Sequence, residues 1–77
     1  MPTLFFSYGF RFFFFLLDHE PIHIHVEGSS GDAVFNVVPE IELRENNGLT
    51  ASELKKVRQA IIENREVIID RWNELKD

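Results

Sequence analysis

With 77 residues and no cysteine, the chain is one domain (residues 1–77), near the size at which a single core barely suffices. Disulfides, thiolate metal sites and a cysteine nucleophile are excluded. The net charge of -5 is unevenly placed: up to Leu49 two basic residues, Arg11 and Arg44, face seven acidic ones, whereas beyond it six basic residues balance six acidic. Nucleic acid is therefore not an expected partner, because gripping a phosphate backbone takes clustered Lys and Arg.

Thr3–Phe6 and Phe10–Leu17 read as two strands joined around Ser7-Tyr8-Gly9. The second is apolar on both faces, with Phe10, Phe12, Phe14 and Leu16 on one and Phe13, Phe15 and Leu17 on the other. That pattern suits a central strand. The run is far shorter than the roughly 20 residues of a spanning helix, and Arg11 interrupts it. No basic segment precedes it, so neither a membrane nor secretion is expected, and the lack of cysteine fits the cytoplasm.

Asp18–Pro21 break the pattern, and Ile22–Glu27 form a third strand with clean alternation: Ile22, Ile24 and Val26 point one way, His23, His25 and Glu27 the other. Gly28–Asp32 is a hairpin-type loop, and Ala33–Val38 a fourth strand closed by Pro39. Glu40–Arg44 are a short extended segment, followed by a turn at Glu45–Gly48. Thr50-Ala51-Ser52-Glu53 fits the capping box that opens a helix. Leu54, Val57, Ile61, Ile68, Trp72 and Leu75 then recur on one helical face, and no Gly or Pro interrupts Ala51–Lys76.

The expected fold is therefore α+β: a four-stranded, mainly antiparallel sheet with a long C-terminal helix. Such a helix would run about 39 Å against strands of about 17–27 Å. It must either kink, near Asn64-Arg65, or overhang. One helix covers one sheet face only, so the second face of the phenylalanine strand must be closed by curvature, by the kinked second half of the helix or by a partner, and a partner, another small protein or a second copy of the chain, is the favoured expectation.

All three histidines fall within seven residues, His19–His25. His23 and His25, two apart on one strand face, are candidates for a zinc or other divalent site completed by Asp18, Glu27 or His19. They are equally candidates for metal-free acid-base catalysis, with His19 assisting, in a hydrolase acting on RNA. That chemistry needs a cation beside the histidines, to be supplied by Lys55, Arg58 or Arg65. The plainer reading makes them ordinary side chains of a half-buried strand. Whether the chain is an enzyme stays open at this point.

Across nearly its whole length the chain resembles a bacterial and archaeal family of short proteins described as a domain of unknown function, number 4160 in that series. The resemblance rests on Met1-Pro2-Thr3, the aromatic strand after Gly9, and the pattern His19, Pro21, His23, His25, Val26. It continues through Glu40-Ile41-Glu42-Leu43, Asn47-Gly48-Leu49, Glu53-Leu54, Glu63-Asn64-Arg65 and Trp72-Asn73-Glu74. Asn73 stands where members often carry a histidine. The resemblance implies a small antiparallel sheet with a C-terminal helix, and genomic pairing with another small protein in a toxin-antitoxin-like cassette. It implies no established activity. Taken together, these readings favour a protein-interaction component of a two-gene module over a His-centred enzyme.

Overall fold

The computed structural model of the protein describes residues 3–15 and 19–76. Five strands, β1 (Thr3–Ser7), β2 (Phe10–Phe13), β3 (His23–Glu27), β4 (Asp32–Asn36) and β5 (Glu42–Asn47), form one sheet in the order β1-β2-β3-β4-β5. Every neighbouring pair is antiparallel. Two helices follow, α1 (Ala51–Glu63) and α2 (Arg65–Lys76). No helix among the described residues is long and apolar enough to cross a membrane.

The fold class is as expected, but the element count is not. The expected turn at Glu45–Gly48 is largely strand. Glu42–Asn47 pair with β4 along its length, although every residue of β5 is exposed, so hydrophobic alternation carried no signal there. The second strand ends at Phe13, and Leu16 and Leu17 lie outside the described residues.

The single long helix is two, divided at Asn64, where the expected kink fell. The Asn64 N–H is shared between the carbonyls of Ala60 and Ile61 at 3.1 and 3.2 Å, and its side-chain amide donates to Ala60 O at 2.8 Å. A side chain competing for the ladder's acceptors bends a helix. The bend has a packing consequence: an unbroken helix of about 39 Å would exceed the longest dimension of the protein, 35 Å.

Both halves instead feed one core, and Trp72 of α2 also packs against His23 at the end of β3. Val57, Ala60 and Ile61 of α1 and Ile68 and Trp72 of α2 are buried against Phe12, Ile24, Val26 and Phe35. Phe12 stacks on Phe5 at 4.7 Å, and Phe14 meets the Trp72 ring edge-on at 5.2 Å.

The start of α1 is clamped to the sheet end. The Thr50 hydroxyl accepts from Glu53 N–H at 3.1 Å, while the Glu53 carboxylate accepts from Thr50 N–H at 2.9 Å, so the expected capping box forms. The same carboxylate accepts from the Ser30 hydroxyl, tying α1 to the β3–β4 loop. That loop abuts the β5–α1 connection closely enough that a Cβ on Gly31 would strike the Asn47 carbonyl, and Gly48 takes a φ of +99° that favours glycine.

These bonds, to the Thr50 backbone first and to Ser30 next, hold the Glu53 carboxyl below its ordinary pKa of 4.5. A carboxyl whose pKa is lowered by folding stabilises the protein above its unfolded value. That contribution is lost as pH falls through the folded one. Urea midpoints measured from pH 7 down to pH 3 should therefore decline below about pH 4.5, and Glu53→Gln should flatten the decline without shifting its start upward.

Candidate functional site

Because side chains alternate along a strand, the residues not facing the helices share the opposite, open face. Cross-strand register aligns them in rows. Phe6, Arg11, Glu27, Asp32 and Asn47 make one row, and Phe13, His25, Val34 and Glu45 the next; His23 pairs with Asn36 beyond. A cavity of about 460 Å³ opens over these rows, lined among others by Phe15, His23, His25, Asp32, Arg44 and Glu45.

Phe13 is buried, only 6% exposed, although it is not part of the core beneath the helices. Its own face provides the cover. The Arg11 guanidinium lies 4.3 Å from the centre of its ring, His25 stacks at 5.5 Å, and Phe15 meets it edge-on at 5.4 Å. Arg11 is held in place by Thr3 Oγ1 at 2.8 Å and by the Glu27 carboxylate at 3.4 Å. The apolar surface left over is thus smaller than the sequence suggested: chiefly Phe15, 41% exposed, and Phe6, 72% exposed at the β1 edge.

The two motif histidines come together, their ring centres 5.3 Å apart, but in different settings. His23 is buried and its ring packs against Trp72 at 5.3 Å. Its Nδ1 lies 2.9 Å from the Pro21 carbonyl oxygen. A carbonyl only accepts, so Nδ1 is the donor in this contact. His25 is half-buried between Phe13 and Phe15, with the Phe15 ring edge-on at 4.4 Å.

The other candidates are placed less centrally. Glu27 is at the far end of β3, paired with Arg11. His19 is exposed in the loop before β3, and Asp18 lies outside the described residues. Among the described residues, no three His, Asp or Glu side chains cluster as a metal site.

The helical cations also go elsewhere. Arg58 donates to Ile41 O at 2.8 Å, Arg65 to Val37 O at 3.2 Å, and Lys55 lines a separate groove with Leu43 and Leu54. None of the three lines the histidine cavity.

Sequence reasoning passed over two neighbours of the histidines. Trp72 reaches His23 from the second helix and donates its indole N–H to Glu20 at 3.2 Å. Arg44 enters the cavity because β5 is irregular opposite Val34/Phe35, which puts an extra residue against β4. A bulge leaves no trace in hydrophobic periodicity. Asn36, polar within a β-branched run, was the legible signal that this face continues into β4.

The structure thus defines a small α+β protein whose five-stranded antiparallel sheet has its core on one face and an aromatic, histidine-bearing cavity on the other. The chain belongs to the family described as a domain of unknown function (DUF4160), whose model matches residues 9–73. No curated protein and no solved structure matches it.

The unequal settings of the histidines predict unequal consequences of removing them. His23→Ala vacates a buried ring and its hydrogen bond to Pro21, an expected loss of about 2–3 kcal/mol. His25→Ala, at a half-open position, should cost about 1 kcal/mol or less. Urea denaturation of both variants beside the wild type measures the difference.

Proposed function

We propose that this protein is the interaction component of a two-gene, toxin-antitoxin-like cassette in the cytoplasm, and that it docks another small protein across the open face of its sheet. One observation carries this reading: the face turned away from the core holds a cavity floored by the sheet, with Phe15 exposed at it and Phe6 exposed in the neighbouring row. Clefts of roughly 300–1,000 Å³ with apolar floors and a few polar groups are where ligands and partner side chains seat. The paired gene that the family resemblance implies supplies the partner, and self-association through the same face is the competing occupant.

A second reading, a His-centred hydrolase or zinc protein, is favoured by the convergence of the two rings, 5.3 Å apart, and by the Nδ1–H bond to Pro21 that orients His23. A zinc titration followed through the imidazole NMR signals supports it if both rings respond and saturate at one metal per chain or per dimer. Weak, unsaturable shifts count against the zinc form.

The docking test is co-expression with the product of the adjacent gene, with the mass of the complex read by light scattering. Val34→Arg places a charge on the floor of the open face, where Val34 is half-buried. It should weaken the complex at least tenfold, or about 1.4 kcal/mol, while keeping the wild-type urea midpoint within roughly 0.5 kcal/mol. A complex that tolerates Val34→Arg overturns the reading, and a concentration-dependent dimer lost in that variant gives the face to a second copy.

A further inference from the structure

We propose that strand β5, at the edge of the sheet, pairs antiparallel with β5 of a second copy of the chain across a two-fold axis, Arg44 of each copy meeting Glu45 of the other. The inference concerns the edge of the sheet and goes beyond the docking reading, which concerns its open face.

β5 is held from one side only. It ends the strand order, so its outer backbone groups face no strand among the described residues. All six of its residues are exposed, and the Glu and Asn that make up most of it are poor strand formers. Backbone pairing is therefore what keeps Glu42–Asn47 extended. No Pro or Gly within it bars a second partner from the outer side. Main-chain hydrogen bonds along such an edge are the usual means of adding a strand.

Charge selects which strand is added. Four arginines have partners in the chain: Arg11 the Glu27 carboxylate, Arg58 the Ile41 carbonyl, Arg65 the Val37 carbonyl and Arg71 the Glu74 carboxylate. Among the described residues, Arg44 is the one arginine with neither an ion pair nor a hydrogen bond. Glu45 accepts from the Asn47 side-chain amide at 3.0 Å and pairs with no Lys or Arg among the described residues.

The irregularity in β5 makes these two residues self-complementary. In a regular strand Arg44 and Glu45 would point to opposite faces, and no two-fold register could bring them together. Here Val34 pairs with Glu45 and Phe35 with Leu43, so Arg44 is the extra residue, and Arg44 and Glu45 both line the open-face cavity. Leu43 and Asn46 flank them, opposite Phe35 and Ala33 of the core. A two-fold axis through the irregularity sets Arg44 against Glu45 twice on the open side and Leu43 against Asn46 twice on the core side. Each contact is thus repeated with its members exchanged, as an isologous interface requires. Charges guard a sheet edge when a copy would bring like charges together; in this register they attract. The other edge, β1, carries no charged residue and offers no such selection.

The test is sedimentation equilibrium of the full chain at concentrations up to about 1 mM, with hydrogen exchange of the β5 amides alongside. The mass should rise toward that of two chains, and exchange across Leu43–Asn46 should slow as it does. Glu45→Arg makes both members of each pair cationic and should weaken the dimer about tenfold. Arg44→Glu makes both acidic and should do the same, which keeps the test decisive if one variant fails to fold. The double variant Arg44→Glu/Glu45→Arg exchanges the charges, recreates both pairs and should restore dimerisation to within about twofold. A chain that stays monomeric at every concentration overturns the inference. So does a dimer indifferent to both single variants, which would give the association to another surface such as the open face, and so does an exchange of charges that fails to restore it.

Discussion

One-sided coverage of the sheet is the constraint on which the rest of this structure depends. The two helices direct their buried residues into a single core, so the residues of β2, β3 and β4 that point the other way, His23 under Trp72 excepted, must shelter one another. Phe13 shows how this is done. Its ring is closed over by a guanidinium, an imidazole and a second phenyl group, all from the same face. Side chains with an apolar body and a polar tip suit that task, since they cover a hydrophobic ring and still meet water. A need of packing thereby gathers arginine, histidine and carboxylate into one place, which makes the face chemically distinctive.

The position of the helices depends in turn on a clamp at the opposite end of the sheet. Ser30 and the Thr50 cap converge on Glu53, while Gly31 lets the β3–β4 loop lie against Asn47. These contacts fix where α1 begins. The bend at Asn64 then fixes where α2 goes, and the result is that Trp72 arrives beside Phe14, Glu20 and His23. An anchor at Ser30 and a bend at Asn64 together place the indole against the histidine.

Much of this organisation was legible in the residues themselves. Alternation in Ile22–Glu27 assigned each side chain to its face, the capping box marked the start of α1, and the mismatch between helix length and strand length left a break near Asn64 or an overhang as the two outcomes. β5 was not legible in the same way, because all its residues are exposed and its pairing is written in backbone hydrogen bonds rather than in hydrophobic period. The proximity of His23 and His25 followed from their spacing. Their inequality did not, since it comes from Trp72, nearly fifty residues further along the chain, and from a single carbonyl. Arg44 entered the cavity through a strand irregularity that no periodicity announces.

That inequality gives the motif a division of labour. In the sequence Pro21 reads as a loop terminator; in the structure its carbonyl also accepts from Nδ1 of His23. With Nδ1 committed and the ring packed against Trp72, His23 is held in one orientation. A side chain so held forms a fixed wall at the end of the sheet. His25 is different: it sits between two phenyl rings and lines the cavity together with Phe15. The i, i+2 spacing that first suggests a shared metal ion thus also serves a simpler purpose, with one histidine fixing the end of the sheet and the other lining the cavity beside it.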